Sequence, residues 1–458
     1  MGFFDRRKKR KENILTPEQR EAEKRAQWDN IICPFCFERF SHNNVAFRSM
    51  VGFTEDTISE AELRQAQNAA EGKDDYQLRS MIENMKRYAI KPDPVYRQFW
   101  GRMVGDPDYT LDEYCEYPVI NAGSDEVTNR QYDNDGFLVS ICDASGKSTD
   151  RRICPYCHNK LSRFYGKTRV KFMSTIGVTS SGKTVYLSQL LRNLENLIVK
   201  YNCAVLYSDE AYEFINSKPV ENGLPLPVGT TIEFVPPMYF NLQTHFGDQI
   251  TIVLYDIAGE VFTNSESVVK YGPFIKNSDG LIVLIDPGQF PVIKAMLKNV
   301  DIDNDSTSDG KAMPTLVLAA IHNAFMGGDT GKSNICTAVT ISKSDMLLGL
   351  TDELGAPLIP YESNIRMPVS PSPNGGFNET EYSNVNADTW SVINKSYPAL
   401  HNTVANNFAN YGYFAVSALG CNVARHAETG LWTPEGIPSP MRIEEPLMWL
   451  LKNWHIIP

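Results

Sequence analysis

The stretch Gly177-Val-Thr-Ser-Ser-Gly182-Lys183-Thr184 fills every fixed position of the pattern G-x-x-x-x-G-K-[ST], and no other feature constrains the chain as tightly. Its flanks supply the setting the pattern needs. Val170, Phe172 and Ile176 predict an apolar strand over 168–176, and Leu187, Leu190, Leu191, Leu194 and Leu197 predict a helix with an apolar stripe after it. A glycine-rich turn points successive backbone N–H groups at phosphate oxygens, and the helix that follows adds the positive end of its dipole. Gly177, Ser180, Ser181 and Gly182 are therefore candidate phosphate-cradling positions, with Lys183 reaching the terminal phosphates as a point charge. The Thr184 hydroxyl suits Mg2+, a hard cation that takes oxygen ligands.

A second run, Thr251-Ile-Val-Leu-Tyr-Asp256-Ile-Ala-Gly259-Glu260, ends an apolar segment in an acid. A buried strand of an α/β sheet delivers such a carboxylate to the carboxyl edge of the sheet. Asp256 is the candidate second Mg2+ residue, and the Gly259 N–H is placed to sense a γ-phosphate. The base is addressed further on. Ser342-Lys343-Ser344-Asp345 follows the apolar run Thr337-Ala-Val-Thr-Ile341, and one carboxylate at Asp345 accepts both the N1–H and the 2-amino group of guanine. The stem of Lys343 would lie along the base, and a backbone N–H of Ser417 or Ala418, after the strand Tyr413-Phe-Ala-Val416, would donate to guanine O6. Lys-x-Asp by itself is common and is more often a solvated pair.

Together these residues resemble the TRAFAC class of P-loop GTPases, the Ras-like group, over roughly 168–458. Within that class the chain is most similar to the bacterial double-GTPase-type family found in conflict-associated gene clusters. The features behind that comparison are Asp256-Ile-Ala-Gly-Glu260, Asp279-Gly-Leu-Ile-Val-Leu-Ile-Asp286-Pro287 and Glu445-Pro-Leu-Met-Trp-Leu-Leu451. The resemblance implies an α/β fold with a mostly parallel six-stranded sheet flanked by helices. It also implies GTP and GDP with Mg2+ as ligands, hydrolysis of GTP, and switch segments that respond to the γ-phosphate. Thr230, ahead of Thr231, is the candidate switch threonine. Glu260 stands where Ras-like proteins commonly carry a water-orienting glutamine; a carboxylate there acts as a base or repels phosphate charge. Ser342 departs from the usual Asn or Thr, which loosens the base pocket, and no arginine finger is assignable.

The N-terminal third carries different chemistry. Ile32-Cys-Pro-Phe-Cys-Phe-Glu-Arg-Phe40 and Ile153-Cys-Pro-Tyr-Cys-His-Asn-Lys-Leu161 share the form Ile-Cys-Pro-aromatic-Cys-x-x-x-apolar. Cys33, Cys36, Cys154 and Cys157 make a tetrahedral thiolate set for Zn2+, resembling a zinc ribbon split by an insertion. The 117 residues between the pairs exceed ordinary ribbon spacing, but closure entropy grows only logarithmically with loop length. A redox role for the two pairs is the rival. His158 is placed outside the ligand set; Cys115, Cys142, Cys203, Cys336 and Cys421 are expected as buried small hydrophobes, with Cys115 and Cys142 as fallback ligands. A filled four-thiolate site has no open position, so the metal is assigned a folding role.

The expected organisation is a basic tail and short helix over 1–30, the split ribbon over 31–165 with an insertion at about 45–150, and the P-loop domain over 168–458 with insertions at about 203–230 and 350–400. Thr16, Pro17 and Gln19 predict the start of the short helix. Leu63, Leu78, Met81 and Met85 predict a buried helical stripe within 58–90. The net charge of −11 argues against nucleic acid as a partner. The 45–150 insertion and the switch segments are the expected surfaces for a protein effector or regulator, and residues 1–12, with Phe3, Phe4 and six basic side chains, are a candidate peripheral membrane contact. With no apolar run of spanning length and no signal-peptide pattern, a cytoplasmic protein is expected. The reading carried forward is a Mg2+-dependent GTP-binding and hydrolysing switch. Its alternatives are a nucleotide-dependent scaffold with little hydrolysis, an ATPase, and a ribbon-based nucleic-acid reader.

Overall fold

Apolar runs without polar alternation form strands buried on both faces, and the centre of the main sheet is built from such runs. The computed structural model describes residues 17–458 apart from 56–59, 70–71, 73–74, 86, 90, 107–116, 144–145, 179–180, 228–234, 245–248, 264, 299–312, 328, 352–354, 374 and 427–428. The chain divides into two units, Met1–Phe99 with Thr110–Arg169, and Trp100–Tyr109 with Val170–Pro458.

In the larger unit, β1 (Arg169–Gly177), β2 (Cys203–Tyr207), β3 (Met238–Thr244), β4 (Gln249–Ala258), β5 (Gly280–Ile285), β6 (Cys336–Ile341) and β7 (Tyr411–Ala415) form one sheet in the order β2-β3-β4-β1-β5-β6-β7. Strand pairing is parallel from β1 through β5 and β6 to β7, and antiparallel where β3 meets β2 and β4. Every residue of β5 and β6 is buried. The sheet has seven strands rather than the expected six. The extra one is β2, at the edge, drawn from a stretch expected as an insertion; its register against β3 (Cys203 opposite Thr244, Tyr207 opposite Phe240) buries Cys203.

The helix α1 (Lys183–Val199) buries Leu187, Leu190, Leu191 and Leu194 against one sheet face, with Leu197 half-buried at the margin. The helices α2 (Asp209–Ser217) and α8 (Glu445–Asn453) join the same core through Phe214, Ile215, Leu447 and Leu450. On the other face Phe172 stacks on Tyr255, which meets Phe274 of α3 (Ser265–Lys276) edge-on. Beyond α4 (Pro291–Lys298), α5 (Pro314–Met326) packs on α3. The interval expected as the second insertion contains α6 (Glu379–Ser396), which packs against β7 and leads into α7 (Pro398–Asn407). Arg442, fully buried, pairs with Glu381 of α6 and Glu445 of α8 and so ties these helices together.

The smaller unit is a set of short sheets. A hairpin pairs Ile31–Ile32 with Arg39–Phe40, and Ala46–Arg48 lies between Arg152–Ile153 and Val119–Asn121. A further sheet joins Asn129–Tyr132, Leu138–Cys142 and Ser148–Thr149. Both ends of the 45–150 segment are therefore strands paired with, or next to, the strand that leads into the second cysteine pair. The N-terminal helix runs Pro17–Trp28; Thr16 lies outside the described residues. Of the expected stripe in 58–90 the Met85 side chain lies outside the described residues, and the other three members are not buried. Two helices, Glu60–Ala69 and Asp75–Met85, form there, but Leu63 is 36% exposed and Leu78 and Met81 are only half-buried. Two short helices packed on each other offer too little surface to cover a stripe.

Candidate functional site

In a doubly wound sheet a crevice opens where successive connections leave a strand in opposite directions, outside the carboxyl ends of the strands. Here the chain leaves β1 for the edge strand β2, comes back inward through β3 and β4, and then crosses to β5, β6 and β7 on the other side of β1. The loop after β1 is the glycine-rich turn, so the strand–loop–helix unit predicted from Gly177–Thr184 sits at the switch point.

Gly182 has φ 71° and stands as the N-cap of α1, in the left-handed region that favours glycine. Lys183 and Thr184 occupy the first turn and are buried, as is Ser181. Any Cβ at Gly177 would lie 2.6 Å from the Lys183 Cβ and from the Ser181 Oγ, which explains the first glycine of the pattern. Lys183 Nζ forms a buried ion pair with Asp256 Oδ1 at the end of β4. The structure thus brings together the two sequence elements expected at the phosphate end. Gly259 follows on, its backbone packed directly on that of Gly177. Ser180, Thr230 and Thr231 lie outside the described residues, as does the Glu260 side chain, although the Glu260 backbone belongs to a 3-10 turn Gly259–Thr263.

The base-side residues converge at the ends of β6 and β7. Ser342 donates its hydroxyl to the Ile285 carbonyl at 3.1 Å, and its N–H goes to the same oxygen at 2.9 Å. Serine at this position is therefore a clamp between the ends of β5 and β6. Lys343 adopts φ 51°, and Ser344 N–H donates to Val416 O at 3.0 Å, which joins this loop to the end of β7. Asp345 Oδ1 is buried with no hydrogen-bond partner among the described residues. Leaving such an atom unmet costs about 1–3 kcal/mol, more when charged, so the acceptor fits a two-donor edge such as that of guanine. The Ser417 N–H is already used by Met441 O at 3.0 Å, which leaves the neighbouring Ala418 N–H as the candidate donor of that pair.

A further acid, Asp286, stands between the two ends. Asp286 closes β5 and is buried; its Oδ2 accepts from Lys343 Nζ at 2.8 Å and its Oδ1 from Gly288 N at 2.8 Å. The signal was present, an apolar run ending in an acid, the same signal that pointed to Asp256. Cys421 also lies near this end: burial pushes its thiol up, and the Asp345 charge adds to the rise.

In the smaller unit Cys33, Cys36, Cys154 and Cys157 place their sulfurs within 4.8 Å of one another. The cross-pair distances, Cys33 to Cys157 at 3.6 Å and Cys36 to Cys154 at 3.7 Å, match the ~3.8 Å edge of a tetrahedron with Zn–S near ~2.3 Å. The two turns repeat one design. Phe35 N–H and Tyr156 N–H each donate to the first sulfur of their pair at 3.4 Å. Phe37 N and His158 N each return to the carbonyl of that first cysteine at 3.0 Å. Burial pushes the Cys33 and Cys157 thiols up, so thiolates at these positions need a cation. Cys142 is outside the cluster and half-buried, and Cys115 is outside the described residues. Of the five cysteines expected as buried hydrophobes, Cys203 and Cys336 are buried, Cys142 and Cys421 are only half-buried, and Cys115 lies outside the described residues.

His158 turns away from the sulfurs to Asp93, with Nδ1 at 2.8 Å from Oδ2, and Asp93 pairs with the buried Arg48. Burial pushes Asp93 up, but the His158 hydrogen bond and the Arg48 charge outweigh it and hold the carboxyl at about 2. This network was invisible in sequence because its members are far apart along the chain.

The fold and the loop together define an α/β unit with a glycine-rich strand–turn–helix at its switch point, in a chain that also carries a four-cysteine module. No protein-family model matches the chain. Among curated proteins it is similar to the "Putative ESX-1 scaffolding and assembly protein SaeC" of Mycolicibacterium smegmatis, 23% identical over 323 residues, spanning 67% of this chain and 80% of the relative. Among solved structures it is similar to a GTP-binding protein from the hyperthermophilic archaeon Sulfolobus solfataricus in complex with GDP, with 12% identity and a TM-score of 0.25 over 62% of this chain and 53% of that one. Sup35 complexed with GMPPNP follows, with 11% identity and a TM-score of 0.23 over 55% and 38%. The chain therefore spans about half or less of these two structures. Among the described residues no helix is long and apolar enough to cross a membrane.

Proposed function

We propose that the larger unit binds guanine nucleotides with Mg2+ and hydrolyses GTP as a switch, and that the smaller unit is a zinc-held platform for a protein partner. The observation that carries this reading is the buried Asp345 Oδ1, without a hydrogen-bond partner among the described residues, in the loop after β6 whose Lys343 stem runs past Gly182 of the glycine-rich turn. One carboxylate there accepts two donors from guanine and would meet only an acceptor at N1 of adenine. The backbone of Gly177–Gly182, with Ser180 and Ser181, and the Lys183 ammonium would hold the phosphates; Thr184 and Asp256 would hold Mg2+. Bound there, the metal neutralises phosphate charge. Gly259 and Thr230 are the γ-phosphate sensors in this reading, and Glu260 orients water or slows its attack.

Cys33, Cys36, Cys154 and Cys157 fit zinc by spacing and by softness, and the ion has a folding role. The 45–150 segment is the proposed partner surface, and residues 1–12, outside the described residues, a proposed membrane contact.

A second reading, a scaffold that binds nucleotide and turns over little, is favoured by the likeness to a protein named for scaffolding and assembly. Comparing mant-GDP with mant-ADP binding tests the base pocket, and a single-turnover GTP assay separates switch from scaffold.

A further inference from the structure

Lys343 is half-exposed, with 39% of its side chain accessible, and a four-carbon ammonium chain in that setting samples many rotamers. Here it is held at three points. Its backbone sits in the left-handed region at φ 51°, fixed by the Ser344 N–H bond to Val416 O. Its stem passes the phosphate loop, with Cε 3.8 Å from the position a Cβ of Gly182 would take. Its ammonium ends 2.8 Å from Asp286 Oδ2.

Asp286 is itself immobilised. It is the residue after β5, only 9% of its side chain is accessible, and its second oxygen accepts from Gly288 N–H at 2.8 Å. The two oxygens therefore have separate tasks, one closing the turn and the other receiving the lysine. The result is a brace across three loops, those after β1, β5 and β6, with Asp345 two residues beyond the lysine.

We propose that Asp286 is the positioning residue of the base pocket: it draws the Lys343 stem taut beside the phosphate loop, so that the stem forms the floor on which a planar base lies while Asp345 reads its edge. This rests on the guanine-nucleotide reading above. It extends that reading to a residue on a different strand and to selectivity between purines.

The test uses the full chain and two fluorescent ligands, mant-GDP and mant-ADP, with Mg2+. Asp286→Asn keeps an oxygen for the Gly288 N–H and removes the charge that holds the lysine. The GDP-over-ADP preference should fall about tenfold, the size of one charged pair lost, with the thermal midpoint unchanged. Lys343→Gln should lower the preference similarly, and the double variant should fall no more than about twofold below either single, because both remove one brace. A merely structural role for Asp286 would lower both affinities together and leave the ratio intact. A parent chain that prefers GDP, with a ratio unmoved in Asp286→Asn or with the two effects adding in full, overturns the proposal alone. A parent chain with no preference for GDP overturns the base-pocket reading and the proposal with it. Should Asp286→Asn fail to fold, Lys343→Gln decides: an unchanged ratio there overturns the brace.

Discussion

Gly259 and Gly177 touch backbone to backbone: any Cβ on Gly259 would collide with the Gly177 carbonyl. The loops that follow β4 and β1 are thereby pressed together at the carboxyl edge of the sheet, which is also where Lys183 meets Asp256. Gly259→Ala should therefore displace the phosphate loop. The expected cost is about 1–3 kcal/mol of stability, as for other overpacked positions, together with a drop in mant-GDP affinity. Urea denaturation and a binding titration check the two halves; full stability with parental affinity would mean that the contact is not maintained.

The four-cysteine cluster predicts one zinc per chain. Cys36→Ser or Cys154→Ser should abolish stoichiometric zinc and unfold the smaller unit, while mant-GDP binding by the larger unit persists. Elemental analysis and limited proteolysis read the outcome. Retention of zinc in either variant would contradict the ligand set.

Asp93, held at about 2 against an ordinary carboxylate value near 3.8, lends stability to the smaller unit. A depressed folded-state pKa stabilises above the unfolded value, and the contribution is lost as pH falls from about 4 toward 2. At neutral pH Asp93→Asn should cost roughly 2 kcal/mol, by the size of that shift. Denaturation of the zinc-loaded parent and variant at pH 7 measures it. A variant as stable as the parent at pH 7 would show that Arg48 and His158 gain nothing from the charge.

Cys421 reports on the proposed base pocket. Burial and the Asp345 carboxylate both raise its thiol pKa, so it should alkylate slowly near pH 8. Asp345→Asn removes the charge and should speed iodoacetamide labelling of the Cys421 peptide, read by mass spectrometry. An unchanged rate would place the carboxylate's influence elsewhere.

Much of this arrangement was legible in the chain. The apolar run before Gly177 and the leucine stripe after Lys183 gave β1 and α1 to within a residue or two, because local periodicity decides such elements. The paired motifs at Cys33 and Cys154 were legible through their repetition, although a long segment separates them. Pairings across distant strands were not. Asp286 with Lys343, and Arg48 with Asp93 and His158, depend on which loops the topology brings together, and no local pattern encodes that. The stripe at Leu63 and Leu78 failed for the opposite reason, since helical spacing specifies a face without specifying anything to cover it.

The most direct measurement is binding of GTP and ATP analogues, with Mg2+, to the parent chain and to Asp345→Asn. Preference for GTP in the parent, lost in the variant as the carboxylate acceptor is replaced by an amide, is the expected result. Equal binding of both nucleotides, unchanged by the substitution, would contradict the guanine pocket and make Ser342–Asp345 a structural loop of a nonselective nucleotide binder.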